Sequence, residues 1–240
     1  MRISFIVLVI ALFGLSSCNY FGGERISGDG HIVSQQRNAS GFHSLDVSGG
    51  IKVHLRQDAA SSVKVEADQN LMEYIEVYND GNTLVIKEKD GVNLDPSKDI
   101  LVYVAAPTFK DIDVSGACDI IGDGPISAND EMSVNASGAS NINLQLNASK
   151  LRSELSGSSH LNLKGQVTDF SLHASGASEI KTFELVADNI ELDLSGASEA
   201  EVNANKKLDV EASGASNVIY KGRPAITQNS SGASEVRPAS

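Results

Sequence analysis

Five histidines are the residues of this chain best suited to metal binding or to proton transfer near neutral pH. They are His31, His43, His54, His160 and His173. None has the close spacing of zinc ligands, and the chain contains no phosphate-binding loop, nucleophile elbow or zinc-binding helix motif. We therefore predict no metal site, no cofactor and no catalytic residues, and a protein that is not an enzyme.

Carboxylates are the second group of candidate functional residues. The chain has 31 acidic and 19 basic residues, and its formal net charge is −12. Asp111 and Asp113 fall on the same side of a predicted strand. Glu179 and Glu199 occupy equivalent positions of successive repeats, about one strand spacing apart. Such a pair suits a calcium ion, but solvated acids on an acidic surface give the same pattern. The acidic balance argues against a nucleic-acid partner, because nucleic acids are bound by basic surfaces.

The N-terminal segment has the features of an export signal. Residues 3–15 form an apolar run too short for a permanent membrane-spanning helix, and Leu15-Ser16-Ser17-Cys18 follows it. This order resembles the lipobox of bacterial lipoproteins, although a secretory signal with a chance cysteine has a similar appearance. We predict a signal peptide over 1–17, a lipid on Cys18 and a flexible glycine-rich tether over 18–30. The protein would then be exported and held by this lipid at the cell envelope, most simply at the outer membrane.

A repeated phrase, Ser-Gly-Ala-Ser or a near copy, organises the second half of the chain. Its glycines follow one another in steps of 22, 19, 19, 20, 18 and 18 residues, at Gly116, Gly138, Gly157, Gly176, Gly196, Gly214 and Gly232. Around each glycine apolar and polar residues alternate, as in strands with one buried face. Glycine within such a pattern marks a corner. A period near 19 residues is too short for a propeller blade and predicts one coil of a parallel β-helix.

The alternation assigns both the glycine and the second serine of each phrase to the inward-facing set. The predicted inward column consists of Cys118, Ser140, Ser159, Ser178, Ser198, Ser216 and Ser234. Buried hydroxyl groups need partners, so we expect each to donate to the next rung or to the backbone. Serines at a solvated turn are the alternative. Cys118 would be a small buried thiol.

The first third of the chain is less regular. The alternation appears once between Phe42 and Gln57, with Gly49 at its corner, and the next marked glycine is 67 residues further on. That distance leaves room for about three coils without the phrase. A helical turn is expected over 70–74, followed by a hairpin. We predict a single domain over 31–240, with irregular coils to about 110 that cap the solenoid and regular coils over 111–236.

These features together resemble the family called putative auto-transporter adhesin, head GIN domain. The likeness rests on Phe42-His-Ser-Leu-Asp-Val-Ser-Gly-Gly-Ile-Lys-Val, on the seven Ser-Gly phrases and on Val218-Ile-Tyr-Lys-Gly-Arg-Pro, and it covers residues 42–236. It implies an all-β, right-handed parallel β-helix in an exported bacterial protein, often a lipoprotein. The resemblance brings no catalytic residues with it.

The functional prediction is a non-enzymatic, lipid-anchored cell-envelope protein that presents a β-helical interaction surface and is adhesin-like. Its partners would be the membrane, through Cys18, and a protein or glycan that the sequence does not identify. The alternatives are a carbohydrate-binding or carbohydrate-active β-helix and a periplasmic assembly or sensing module. A low aromatic content of 5%, without tryptophan, counts against a sugar-stacking groove.

Overall fold

The computed structural model describes residues 23–239; the predicted signal peptide and Cys18 lie outside the described residues. A short 3-10 helix covers Gln69–Tyr74, where a helical turn is expected. The strands are β1 (Glu24–Ser27), β2 (Ile32–Arg37), β3 (Ser44–Gly49), β4 (Ile51–Gln57), β5 (Ser62–Asp68), β6 (Ile75–Asp80), β7 (Thr83–Glu88), β8 (Val92–Asp95), β9 (Ile100–Ala106), β10 (Asp111–Gly116), β11 (Asp119–Ala136), β12 (Asn141–Leu155), β13 (His160–Ala174), β14 (Glu179–Leu194), β15 (Glu199–Ala212), β16 (Asn217–Gly222), β17 (Ala225–Ser230) and β18 (Glu235–Pro238).

The regular part is a stack of parallel strands in chain order, from β10 through β16. Equivalent apolar residues of successive coils pair directly, as in the buried file Met132, Leu151, Phe170, Ile190 and Leu208. Each coil buries little apolar surface alone and depends on its neighbours above and below. The prediction of an all-β solenoid is confirmed: the chain forms about six turns, with coils of 19–20 residues.

The predicted corner glycines lie in one file along the stack. They are Gly49, Gly116, Gly138, Gly157, Gly176, Gly196, Gly214 and Gly232, and each has a φ between +74° and +104°. From Gly116 onward, an added Cβ would come within 2.4–2.6 Å of the carbonyl oxygen of the glycine one rung below. Both the left-handed backbone and this contact require glycine.

The assignment of these glycines to the inward-facing set is wrong. All of them from Gly116 onward are exposed, because the chain turns outward between two buried positions. In the second phrase Ala136 and Ser140 are buried, whereas Ser137, Gly138 and Ala139 are not. Ala136 and Ser140 are four residues apart, so strict alternation also predicts that Gly138, midway between them, is buried. The alternation therefore gave no sign that the chain turns outward there.

The second serines lie in the interior. Ser140, Ser159, Ser178, Ser198 and Ser216 are at most 1% exposed, as is Cys118. Each hydroxyl donates to the carbonyl oxygen of the first serine of its own phrase, three residues earlier, at 2.9–3.1 Å. These hydrogen bonds therefore stabilise each corner within its own phrase. They do not form a ladder from one serine hydroxyl to the next along the stack.

Ser234 departs from the predicted column. It makes the same bond to Ser231, at 3.0 Å, but it is only half-buried. It belongs to the last rung among residues 23–239, and no other coil of this described part covers it.

Ser178→Val is expected to lower the free energy of unfolding by about 2 kcal/mol, because the corner loses a buried hydrogen bond. The matched control is Ser153→Val, since the Ser153 hydroxyl is buried without a partner. That change should leave stability equal or higher. Urea denaturation of both variants measures the difference, and equal losses would show that the corner bond contributes nothing.

The first third does not add coils between Gly49 and Gly116. Gly116 pairs directly with Gly49 across β10 and β3, and β4 pairs with the start of β11. The expectation of about three intervening coils is wrong. The inserted chain instead passes beneath the β3–β4 coil, where β7 pairs with β3 and β9 pairs with β4.

This lower end of the solenoid is covered by antiparallel structure. β5 pairs with β9 and β2 with β5, while β6 and β7 form the expected hairpin. Leu71 of the 3-10 helix is fully buried. The segment therefore caps the solenoid as predicted. In the chain, however, most of this segment follows the first coil, which is formed by β3 and β4.

The predicted tether over 18–30 is wrong for its second half. Glu24–Ser27 form β1, which pairs in parallel with β8. The Gly28 N–H then donates to the Asp95 carbonyl at 2.9 Å, and the Gly30 N–H donates to Asp68 at 2.7 Å. The folded domain thus includes residues 24–30, which precede the predicted boundary at residue 31. Among residues 23–239, no helix has the length and hydrophobicity to span a bilayer.

Candidate functional site

A groove runs along one outer side of the coils and encloses about 480 Å³. Two columns of polar side chains line it. One holds the residue two positions before each first serine: Asp46, Asp113, Asn135, Glu154, His173 and Asp193. The other holds the first serines themselves: Ser115, Ser137, Ser156, Ser175 and Ser195. We call this feature the polar groove.

Strand register produces the first column. Asp113 pairs with Asp46 on one side and with Asn135 on the other, and each later member pairs with the next. Neighbouring members therefore lie about 4.8 Å apart along the stack. Side chains fixed on stacked strands form a regular array, and such an array loses little conformational entropy when a ligand binds.

Hydrogen bonds connect the column internally. The Asn135 amide donates to the Asp113 carboxylate at 2.8 Å, and its oxygen accepts the Glu154 N–H at 3.0 Å. The His173 Nδ1 atom lies 3.3 Å from a carboxylate oxygen of Asp193. These contacts restrict the conformations of the side chains along the groove.

The electrostatics of the polar groove are acidic. Four carboxylates and one imidazole line it, and no lysine or arginine is among its lining residues. Burial raises the pKa of Asp46 above its ordinary value, the Asp113 carboxylate raises it further, and Lys87 acts in the opposite direction. The groove therefore offers mainly hydrogen-bond acceptors, which suit hydroxyl or ammonium groups of a ligand.

Sequence reasoning found only part of this site. It identified Asp113 as an outward carboxylate but grouped it with Asp111, which instead accepts a hydrogen bond from Ser44 at 2.8 Å. It considered His173 for metal binding and proton transfer, and not as part of a ligand-binding groove. The signal was nevertheless present, because the position two residues before every first serine is polar in each phrase.

The outward column after the second serines contains the suggested calcium pair. Glu179 and Glu199 do pair across β14 and β15. However, Lys181 Nζ lies 2.7 Å from Glu179, and His160 lies 3.4 Å from it on the other side. In the part of the chain that the structure describes, no group of three or more histidine, cysteine or acidic residues is arranged to hold a metal ion.

Cys118 is a buried thiol at the first marked corner. Its sulfur lies 3.3 Å from the Ser115 carbonyl oxygen, as a serine hydroxyl would. Burial raises the pKa of Cys118 to about 11. The thiol is therefore protonated at neutral pH and is a poor nucleophile.

A second surface cluster surrounds Tyr103 on the first coils. The His54 ring stacks on Tyr103 with centroids 5.2 Å apart, and Lys64 Nζ lies 4.1 Å from the centre of the same ring. His54 also pairs with Asp123 at 2.8 Å. Because its ring is already contacted by two side chains, Tyr103 is a poor platform for stacking a sugar.

Comparisons with solved structures show the same fold. The chain is similar to a putative adhesin from Bacteroides fragilis, with a TM-score of 0.84, 20% identity, and coverage of 89% of this chain and 100% of that one. It is similar to a putative lipid binding protein from Parabacteroides distasonis, with a TM-score of 0.75, 22% identity and coverage of 90% and 100%. A putative adhesin from Parabacteroides merdae gives a TM-score of 0.71, 20% identity and coverage of 91% and 100%.

A comparison with curated proteins gives no match. The family model described as putative auto-transporter adhesin, head GIN domain, matches residues 41–224, and the chain therefore belongs to this family.

Proposed function

We propose that this protein is a non-enzymatic, lipid-anchored component of the bacterial cell envelope whose polar groove binds a partner in an adhesin-like manner. The observation that carries the proposal is the groove itself, a file of acceptors repeated rung by rung on a rigid rod. The adhesin family and the adhesin names of two structural neighbours agree with a binding role.

The position of β1 determines which end of the rod a lipid on Cys18 would hold. Glu24 lies six residues after Cys18, and six extended residues reach about 20 Å at most. β1 pairs with β8, at the covered end of the solenoid. A lipid on Cys18 would hold that end near the membrane, with the groove and the last coils projecting away by a length on the order of 30 Å.

A carbohydrate-active protein is the second candidate, and one observation favours it. Asp46 and Asp113 lie on adjacent rungs, and burial together with the Asp113 charge raises the pKa of Asp46. Paired carboxylates with one raised pKa are the machinery of glycoside hydrolysis. Against this, the Asn135 amide bonds to Asp113. Loss of glycan hydrolysis in Asp46→Asn would establish this alternative.

The lipid-binding name of one neighbour applies to that protein. In this chain the interior of the coils is filled by packed side chains, among them Leu144, Leu163 and Phe170. An acyl chain would therefore have to bind outside the solenoid, and the exposed large apolar residues of the described region are scattered: Ile32, Tyr78 and Ile226.

The test is binding of the protein to arrays of glycans and matrix proteins. Asp193→Lys in the groove should reduce binding at least tenfold, because it reverses one of the four groove charges and displaces His173. Glu199→Lys, the same charge change on another face, is the matched control and should bind normally. Equal binding by both variants would exclude the groove as the binding surface.

The lipid anchor is tested by expressing the Cys18→Ala variant in bacterial cells and separating their membranes. The variant should leave the membrane fraction while retaining array binding, since the substitution changes no residue that lines the groove. Retention of the variant in the membrane would contradict the lipid anchor without affecting the groove. Protease treatment of intact cells then distinguishes a surface-facing protein from the periplasmic alternative.

A further inference from the structure

The far end of the solenoid leaves two strands with an open edge. β17 pairs only with β15 and β18 only with β16, so that within residues 23–239 nothing pairs on their outer side. The N–H groups of Ser231 and Glu235 bond back to the previous rung. Neighbouring residues of a strand point their backbone groups to opposite sides, so the N–H and C=O groups of Gln228 and Val236 face the open edge.

One of the two edge strands, β17, lacks the usual protection against pairing, whereas β18 carries Glu235, Arg237 and Pro238. Strands at sheet edges normally carry charges, proline or a covering element. β17, Ala225–Ser230, has no charged residue and no proline, all six of its residues are exposed, and Ile226 is 40% exposed. The opposite end of the rod is covered by β2, β5 and the 3-10 helix.

The charges on β18 are complementary to themselves. Glu235 and Arg237 flank Val236 on the outer face, and their own contact is long, at 3.8 Å between exposed side chains. If two copies of β18 run antiparallel with Val236 opposite Val236, each glutamate lies directly opposite an arginine. Every register that places Glu235 opposite Glu235 is disfavoured by repulsion.

We propose that this end of the solenoid binds a second copy of the chain across a two-fold axis, with β17 and β18 each antiparallel to its counterpart. Val236 N–H donates to the C=O of the partner's Val236 and accepts in return, and Glu235 pairs with the partner's Arg237. Gln228 and Val236 are each four residues from Gly232, where the coil turns, and the proposed axis passes near both. Such an interface is isologous and closed, and it does not propagate into a fibre.

The dimer places the two covered ends, and therefore the two N-termini, at opposite ends of a doubled rod. In a protein anchored through Cys18 this geometry joins two envelopes and not two neighbours in one membrane. That consequence rests on the proposed anchor, whereas the dimer itself does not.

The test is sedimentation of the full chain carrying Cys18→Ala, which has no lipid, at low salt over a range of concentrations. The parent should form a concentration-dependent dimer that weakens as salt rises. Arg237→Glu and Glu235→Arg should each raise the dissociation constant at least tenfold, because like charges then face each other. Circular dichroism of each variant checks that the coils remain folded.

An equimolar mixture of the two variants provides the decisive arm. Each bears one sign of charge at both positions, so the mixture should form a heterodimer about as well as the parent forms its homodimer. A parent that stays monomeric, or variants that dimerise like the parent, would overturn the proposal. Failure of the mixture to associate would overturn it as well. Groove binding on arrays is unaffected by these changes, so it can fail or succeed independently of the dimer.

Discussion

Gly176→Ala is expected to lower the free energy of unfolding by about 4 kcal/mol, a large effect for a single added methyl group. Gly176 has a φ of +80°, and an added Cβ would lie 2.4 Å from the Gly157 carbonyl oxygen. A left-handed backbone alone costs an alanine about 1–2 kcal/mol. The remainder comes from the backbone contact, which cannot be relieved without separating two rungs.

Substitutions at two other glycines distinguish the cost of the left-handed backbone from the cost of the close backbone contact. Gly81, in the β6–β7 turn, has a φ of +58° but nothing within 4 Å of an added Cβ. Gly124 has neither a left-handed backbone nor a close neighbour. Gly81→Ala should therefore cost about 1 kcal/mol and Gly124→Ala close to zero. Urea denaturation gives the three values, and a Gly176→Ala loss no larger than that of Gly81→Ala would refute the stacked corner.

Asp68→Asn is expected to destabilise the covered end by about 3 kcal/mol at pH 7. The fully buried Asp68 carboxylate accepts the Gly30 N–H at 2.7 Å, the Ser97 N–H at 2.9 Å and the Ser97 hydroxyl at 2.6 Å. An amide replaces one acceptor by a donor and leaves a buried N–H without a partner. The surface carboxylate of Asp95, which contacts Arg25, is the control, and Asp95→Asn should cost less than about 1 kcal/mol.

The same carboxylate gives a pH dependence. Burial raises the pKa of Asp68, but the hydrogen bonds from Ser97 and Gly30 together lower it by more, and the net pKa lies below the ordinary value of 3.8. Its stabilising contribution is therefore complete above the unfolded-state pKa and is lost as pH falls through the lower folded-state pKa. Denaturation at pH 7 and pH 3 should show the gap between the native protein and Asp68→Asn shrinking in acid. A constant gap would mean that Asp68 does not titrate differently in the two states.

Gly28 is explained by the same junction. An added Cβ at this position would lie 2.2 Å from the Asp68 carboxylate, so that only glycine allows the N-terminal segment to approach. Asp68 thus joins the residues after β1, the loop after β8 and the start of the 3-10 helix. This junction fixes the N-terminal strand to the covered end, and the proposed orientation of the rod depends on it.

The repeated phrase by itself determined the solenoid, its period, the file of corner glycines and the buried serines. It could do so because each coil copies the same local rules, and stacking equal coils leaves one arrangement for equivalent residues. Gly138, Gly157 and Gly176 therefore lie in one file, as their spacing predicts. The N-terminal signal pattern is equally local, and its proposed lipid on Cys18 rests on sequence alone.

Only the tertiary structure decided what lies beside the first coil. Sequence distance suggested new coils between Gly49 and Gly116, yet the two pair directly, because the chain between them lacks the glycine phrase and packs underneath. The sequence did not predict strand β1 or the junction at Asp68, because their hydrogen-bond partners are 29 to 70 residues away in the chain. The polar groove and the open edge of β17 and β18 likewise arise from register between strands, which no short stretch of sequence encodes.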